Sequence, residues 1–116
     1  MKKLLCALAV GISTLGSTSA FAGYGAIAYS PSTGANGGSW SYSCASEATS
    51  AAVAACGQAD CTNEVWVQNG CAAFAVATNG ASGWAWNAHL GMAEANALMQ
   101  CSTNGQGCYV VRWVCS

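Results

Sequence analysis

The chain has 116 residues, of which three are Lys or Arg, four are Asp or Glu and eight are Cys, and 53% are hydrophobic. This length supports one domain, and three basic residues are too few for a protein that binds nucleic acid through its phosphates. Intrinsic disorder is also excluded, because disordered chains combine low hydrophobicity with high net charge.

The first 22 residues have the three parts of a secretory signal peptide. Lys2 and Lys3 form a positive n-region, residues 4–15 form an apolar h-region, and the Ala-Phe-Ala sequence at 20–22 is a small-residue cleavage site. The apolar run is shorter than the roughly 20 residues that a bilayer span requires. We therefore predict cleavage after Ala22 and a periplasmic or secreted protein with no membrane span after cleavage.

Without the signal peptide, the chain is acidic and rich in cysteine. Arg112 is then the only basic residue, and four acidic residues outnumber it, namely Glu47, Asp60, Glu64 and Glu94. Seven cysteines remain, and in an oxidising compartment they predict a disulfide framework with one thiol left over. Because a domain of this size has only a modest core, such cross-links would contribute strongly to its stability.

The chain from residue 24 onward contains the same landmarks twice. Those of the first half recur in the same order in the second half, with Trp40, Cys56, Cys61 and Trp66 matching Trp86, Cys101, Cys108 and Trp113. Chance similarity in an alanine-rich chain would not keep cysteines and tryptophans in register. We interpret residues 24–70 and 71–116 as two copies of one unit, which form a single domain over residues 23–116.

Each copy is predicted to contain two strands, a helix and a third strand. In the first copy the clearest elements are a strand at Tyr24–Ser30, an alanine-rich helix at Glu47–Cys56 and a strand at Thr62–Gln68. In the second copy they are strands at Cys71–Ala77 and Ser82–Trp86, joined by an Asn79-Gly80 turn, a helix at Met92–Cys101 and a strand at Cys108–Cys115. The predicted fold class is α+β, with one antiparallel sheet backed on one face by two short helices.

The place of each cysteine in the repeat selects a disulfide pattern. Cys56 ends a helix and Cys61 begins the next strand, and Cys101 and Cys108 hold the same positions in the second copy. We therefore predict the pairs Cys56–Cys61 and Cys101–Cys108, which leave Cys71 and Cys115 as a long-range pair. Cys44 has no counterpart in the second copy, and we expect a free thiol there.

The order of these residues resembles a secreted bacterial family, domain of unknown function 4189. The resemblance is carried by Tyr24-Gly25-Ala26-Ile27-Ala28-Tyr29-Ser30, Ser39-Trp40, Cys56, Cys61, Cys71-Ala72-Ala73 and Gly83-Trp84-Ala85-Trp86. It covers essentially the whole mature chain, with two departures: Gly38 stands where the second copy has Trp84, and Cys44 is extra to a six-cysteine pattern. Some similar proteins are thought to be immunity partners that neutralise toxins in a neighbour's periplasm, so the resemblance implies an inhibitor role as a hypothesis.

Few residues of the mature chain could support catalysis or bind a metal. His89 is the only histidine and Asp60 the only aspartate, and common hydrolase, metalloprotease and nucleotide-binding motifs are missing from the sequence. A triad of serine, His89 and Asp60 carries almost no information, because serine is so frequent here. The spacings within the two short-range cysteine pairs differ from those of zinc knuckles. We predict a protein that is not an enzyme and that has no cofactor and no metal.

The tryptophans are the better candidates for a binding site. Trp84 and Trp86 are two residues apart in a predicted strand and should face the same side. If that side is covered by the helices they are core residues, and if it is open they form an apolar patch with Trp40 and Tyr42. We expect Trp84 to be exposed and Trp86 to be at least partly buried, because Trp86 has the counterpart Trp40 whereas Trp84 matches only Gly38.

The sequence thus predicts a non-enzymatic module that binds another protein outside the cytoplasm, its most concrete form being an immunity protein or an inhibitor of a secreted toxin or effector. The alternative is a module that binds a glycan or peptidoglycan by stacking sugar rings on Trp84 and Trp86. A third hypothesis is a hydrolase of unfamiliar design or an envelope protein of another kind.

Overall fold

Residues 23–116 are described by the computed structural model, and the predicted signal peptide lies outside them. Six strands and two helices follow one another in the order that the sequence predicted. Their bounds are β1 (Tyr24–Tyr29), β2 (Asn36–Tyr42), α1 (Ala45–Cys56), β3 (Thr62–Gln68), β4 (Cys71–Val76), β5 (Ser82–Asn87), α2 (Leu90–Ser102) and β6 (Tyr109–Cys115). Within these residues, neither helix is long and apolar enough to cross a membrane.

The strands form two antiparallel sheets of three strands each, with strand orders β2-β1-β3 and β5-β4-β6. The α+β class is therefore confirmed, but the prediction of one sheet is wrong. The physical reason lies in the central strands, which are apolar on both faces. Ala26 and Ala28 of β1 pack against α1, whereas Ile27 between them packs against residues of the second sheet. A single sheet with helices on one face would leave Ile27 in water.

The layers therefore follow the order α1, first sheet, second sheet and α2. Large side chains fill the space between the sheets, where the buried residues are Ile27, Val65, Val67, Ala72, Phe74, Val76 and Val114. The rings of Tyr29 and Phe74 lie 5.0 Å apart there. Burial of each large side chain contributes about 1.5–3 kcal/mol, so this central layer contributes strongly to stability.

Small residues fill the two outer layers, where each helix lies on its sheet. The helix residues that are buried there are mostly alanines, Ala48 and Ala52 in α1 and Ala93 and Ala97 in α2. The strands also contribute glycine: a Cβ atom at Gly83 would lie 2.4 Å from the backbone of Ala97 and Cys101. The helices can approach the strands this closely because both surfaces lack bulk.

All three predicted disulfides are present, Cys56–Cys61, Cys71–Cys115 and Cys101–Cys108. Two of them join the end of a helix to the segment that leads into the next strand. Cys71 and Cys115 are paired in the β4–β6 register, so the third bond crosses between neighbouring strands. The repeat pattern selected the two short-range pairs, because each has an equivalent in the other half, and Cys71–Cys115 followed as the remaining pair.

The expectation of a free thiol at Cys44 is wrong. Cys44 is disulfide-bonded, and no cysteine among residues 23–116 is free. It precedes α1, and its Sγ lies 3.3 Å from Oγ of Ser46. The lack of a counterpart in the second half removed the symmetry argument that identified the other pairs, but it did not exclude a bond.

Candidate binding grooves

All five tryptophans of the described chain are exposed on edge strands. The exposed fractions are 57% for Trp40, 48% for Trp66, 44% for Trp84, 58% for Trp86 and 50% for Trp113. The expectation for Trp84 is confirmed, and the expectation that Trp86 is partly buried is wrong. Trp86 is exposed because β5 is an edge strand, so its side chain has sheet neighbours on one side only.

Trp84 and Trp86 face away from α2. Gly83 and Ala85 alternate with them and pack against that helix, so the two rings project from the opposite face of the second sheet. There they meet the edge strand β3 of the first sheet. The resulting β3–β5 groove has a volume of about 640 Å³ and is lined by Asn63, Glu64, Val65, Trp66, Val67, Gln68, Trp84 and Trp86.

The β3–β5 groove combines rings with polar side chains that can form hydrogen bonds. Asn63 and Gln68 bring amides, and Glu64 brings a carboxylate that accepts a hydrogen bond from Thr62 Oγ1 at 2.9 Å. The backbone N–H of Trp84 donates to Oε1 of Gln100 in α2. That N–H is therefore occupied and does not offer a partner to an added strand.

A second groove lies at the opposite edge of the sandwich, between β2 and β6. It has a volume of about 610 Å³ and is lined by Trp40, Val111, Arg112, Trp113, Val114 and Cys115. The predicted patch of Trp84, Trp86, Trp40 and Tyr42 is therefore split. The sequence could not show this, because the separation follows from the stacking of two sheets in which β2 and β5 lie at opposite edges.

A bulge in β2 lies between Trp40 and Tyr42. Ser41 has a φ of 65°, and the register of β2 shifts between the residues opposite Tyr24 and Ala26. Beyond the bulge, Tyr42 lies opposite Tyr24 and lines a more open pocket with Trp40 and with Ala51 and Ala55 of α1. Trp40 thus borders both this pocket and the β2–β6 groove, whereas Tyr42 borders only the former. Tyr42 is therefore not a wall of the β2–β6 groove.

The two grooves arise from rows of residues at equivalent strand positions. In the first sheet Ile27 is flanked by Gly38 and Val65, and in the second sheet Phe74 is flanked by Trp84 and Arg112. A small residue of one sheet thus shares an edge with a large residue of the other sheet: Val65 with Trp84, and Gly38 with Arg112.

The departure at Gly38 has a steric explanation. A Cβ atom at Gly38 would lie 2.9 Å from Cδ of Arg112 and 2.7 Å from Cγ1 of Val114. The arginine stem thus occupies the space above the glycine. Its Nε donates a hydrogen bond to Oδ1 of Asn36 at 2.6 Å, which links the two sheets. In the sequence, Arg112 was counted only as the single basic residue after the signal peptide, and this role was missed.

Asp60 and His89, which the sequence left as possible catalytic groups, have other partners. Oγ of Ser30, a fully buried residue, donates to Asp60 Oδ1 at 2.5 Å, and the backbone N–H of Ser32 donates to Oδ2 at 3.1 Å. These hydrogen bonds, the Ser30 hydroxyl first, lower the pKa of Asp60. Thr33 Oγ1 donates to Ser30 Oγ at 2.8 Å. The cluster ties the β1–β2 turn to the start of β3.

His89 lies at the start of α2 and is exposed. Its backbone N–H donates to Oδ1 of Asn87 at 3.0 Å. Over residues 23–116, neither a hydrogen bond between His89 and Asp60 nor a cluster of three or more His, Cys, Asp or Glu side chains suited to a metal ion is found. The geometry that the described residues do offer is that of two open, tryptophan-lined grooves.

The comparisons with known proteins agree with the resemblance found in the sequence. Residues 24–115 match the family model described as Domain of unknown function (DUF4189). Among solved structures, the chain is similar to that of Rv1813c from Mycobacterium tuberculosis, determined by NMR, with a TM-score of 0.61 and 27% sequence identity over 87% of this chain and 81% of that chain. No curated protein matches the chain. Because the family match spans both sheets, both helices and both grooves, the chain belongs to the DUF4189 family.

Proposed function

We propose that the chain is a periplasmic or secreted, non-enzymatic module that binds another protein through the β3–β5 groove. The observation that carries the proposal is that Trp84 and Trp86, both about half exposed, stand side by side on the face of β5 that borders the open groove. Exposure of large aromatic side chains to water is unfavourable, and contiguous apolar surface of this kind often marks a binding site. Tryptophan is also enriched among the residues that dominate the binding energy of protein interfaces.

The scaffold behind the groove supports this proposal. Three disulfides and a buried layer between the sheets hold the edge strands, so little order has to be gained when a partner binds. Disulfides of this kind are typical of oxidising compartments, which supports a site of action outside the cytoplasm. The narrower form of the proposal is an immunity protein or inhibitor that covers a functional surface of a secreted toxin or effector.

Site-specific photo-crosslinking tests the proposal. A photoreactive amino acid replaces Gln68 in the groove, and in a control protein it replaces Met99, which is exposed on α2 outside both grooves. In extracts of the producing cells, we expect a discrete protein adduct from position 68 that position 99 does not give. The adduct should disappear when Trp84→Ala is added. Equal adducts from both positions, or an adduct that survives Trp84→Ala, would contradict the proposal.

The inhibitor role has a separate test. If the captured partner is an enzyme or toxin, the wild-type protein should suppress its activity at a one-to-one ratio, and the Trp84→Ala protein should do so at least tenfold less well. Full suppression by both proteins would assign inhibition to another surface.

A glycan is the second candidate ligand of the same groove. The observation that favours it is the presence of Asn63, Gln68 and Glu64 beside the rings, because sugar sites combine stacking surfaces with amide and carboxylate groups. Titration with chitotriose and with soluble peptidoglycan fragments, followed by tryptophan fluorescence, tests this candidate. Saturable binding that Trp84→Ala abolishes, together with no protein adduct from position 68, would favour the glycan.

We also propose that the two halves of the domain are copies of one unit. Each half has the element order strand, strand, helix, strand, and in each sheet the first strand of the half is central. This common order, with the equivalent Cys56–Cys61 and Cys101–Cys108 bonds, supports the proposal. Separate family models for the two halves, scored against each other, would test it.

A further inference from the structure

We propose that the β2–β6 groove is a second binding site, which takes an extended peptide segment that carries a carboxylate next to an apolar side chain. The centre of this site is Arg112. It is the only Lys or Arg in residues 23–116, and it lines the groove from the edge strand β6. The site is separate from the β3–β5 groove and does not depend on the function proposed for that groove.

The charge of Arg112 is not neutralised by the groove itself. None of the four acidic residues of the described chain lines this groove: Glu47 lies in the first turn of α1, Asp60 binds Ser30, Glu64 lines the other groove and Glu94 lies in α2. A half-buried guanidinium without a carboxylate keeps a strong preference for an anion. The one cation of the domain is thus placed where a ligand can pair with it.

The geometry of Arg112 suits a carboxylate. Its stem lies against Gly38, and its Nε is held by Asn36 Oδ1, so the plane of the guanidinium is fixed from two sides. Within residues 23–116, the Nε bond is the one hydrogen bond that the guanidinium makes. Its two terminal nitrogens therefore keep their donors for a bidentate bond to a carboxylate.

The other walls of the groove are apolar, and they determine which kind of peptide side chain can bind next to the carboxylate. Trp40 is about half exposed, and Val111 and Val114 pack against the central layer between the sheets. Trp113 lies opposite Ala73 and points to the α2 side, so only its backbone borders the groove. Apolar walls weaken the competition of water for the ion pair and offer a contact surface to an apolar side chain. Because β2 and β6 are both edge strands, an extended peptide can run along the groove beside their backbones.

Peptide binding to the full oxidised protein tests the proposal. The probes are fluorescein-labelled hexapeptides in which Glu stands next to Leu, Phe or Trp, each with a partner peptide that has Gln in place of Glu. We expect at least one Glu peptide to bind at least tenfold more tightly than its Gln partner, and 0.5 M NaCl to weaken that binding. Arg112→Lys should weaken it about tenfold, because lysine lacks the planar donor pair.

Three control variants keep the test decisive. Arg112→Met keeps most of the stem above Gly38 and should lose the preference for Glu peptides. Asn36→Asp places a carboxylate at the guanidinium at the cost of the hydrogen bond that the Asn36 amide donates to the carbonyl oxygen of Gly34. It should abolish peptide binding in a protein that still folds, even if Arg112→Met fails to fold. Trp84→Ala, in the other groove, should leave peptide binding unchanged.

Four results would overturn the proposal. The first is equal affinity for the Glu and Gln peptides, and the second is full affinity in a folded Arg112→Met or Asn36→Asp protein. The third is an equal loss of affinity in Trp84→Ala. The fourth is Arg112-dependent binding of oligogalacturonate, an acidic glycan, with no binding of any peptide, which would assign the groove to uronic acids.

Discussion

The two edges of the sandwich are built from equivalent strand positions but differ in chemistry. At the β3–β5 edge the large residue is Trp84 and its small neighbour is Val65, and at the β2–β6 edge the large residue is Arg112 and its small neighbour is Gly38. Each edge thus receives one bulky side chain from the second sheet and leaves room for it in the first. Packing thus fixes the volume at an edge, whereas the identity of the bulky residue determines which ligand the edge can attract.

The largest expected effect on stability distinguishes the central strand of the second sheet from its edge strand, at the paired residues Phe74 and Trp84. Phe74→Ala should lower the free energy of unfolding by about 3–5 kcal/mol, because it removes a buried ring between the sheets and leaves a cavity. Trp84→Ala, one strand away on the same row, should cost clearly less, since its ring is partly in water. Urea unfolding of both variants measures the difference. Equal costs would mean that the edge ring belongs to the core and would weaken the case for a binding site.

The second prediction attempts to convert one edge into the other. Gly38→Trp should destabilise the protein by about 1–3 kcal/mol, because the new ring collides with Arg112 and Val114. Adding Arg112→Val reproduces the pair found at the other edge, and the double variant should recover about 1 kcal/mol or more of that loss. A double-mutant cycle from chemical denaturation gives the coupling energy. Purely additive costs would show that the two positions do not share space.

The third prediction concerns the turn that leads into β2. The pKa of Asp60 is lowered by hydrogen bonds, so its ionised form stabilises the fold above its ordinary pKa of 3.8, and this contribution is lost as the pH falls through the lower pKa of the folded state. Asp60→Asn should therefore melt below the wild-type protein at pH 6. The gap should narrow as the pH is lowered from about 4 to about 2.5.

Thermal unfolding followed by circular dichroism over this pH range measures the gap. The three glutamates are present in both proteins, so their titration cancels in the comparison. A gap that stays constant with pH would mean that the Asp60→Asn substitution disturbs packing or geometry rather than removing a charge. Because the same turn supports β2 and not β5, peptide binding at the β2–β6 edge should suffer more than binding at the other edge.

The smallest expected effect concerns the hydrogen bond between Gln100 and the backbone of Trp84. Gln100→Ala should change the free energy of unfolding by only about 0.5–1.5 kcal/mol, because the freed N–H is exposed and can bind water. It should, however, increase self-association, since one more group of the β5 edge becomes open to a strand. Light scattering at high protein concentration detects this change. Unaltered association would show that other features protect the edge.

The sequence predicted the local structure of this chain well. The order of strands and helices followed from apolar patterns and turn residues, and two disulfides followed from cysteines that occupy equivalent places in both halves. The third, Cys71–Cys115, was predicted as the pair that remained. Apolar and turn patterns are local, and the cysteine positions are repeated along the chain, so both can be interpreted without knowledge of the tertiary structure. Cys44 lies outside this logic, and the expectation for it was wrong.

The relation between the two sheets could not be predicted. Ile27 and Phe74 showed that the central strands are apolar on both faces, but no local pattern says which element covers the second face. The contact of Arg112 with Asn36 joins residues 76 positions apart, and it exists only because the sheets stack. Trp86 was expected to be partly buried because Trp40 is its counterpart, yet both are exposed: a residue that recurs in both halves can occupy an edge as well as a core.

The bond between Cys71 and Cys115 determines how β6 responds to mechanical load. Strands that are pulled from one end usually peel away one hydrogen bond at a time. Here the disulfide joins the carboxyl end of β6 to the amino end of β4. Ser116, directly after it, donates its backbone N–H to the carbonyl oxygen of Gly70. Tension applied beyond Cys115 therefore passes covalently into β4, and the wall of the β2–β6 groove that β6 provides is spared. When the chain is pulled beyond Cys115, β6 therefore stays paired with β4, and a ligand bound in the β2–β6 groove keeps this wall of its site.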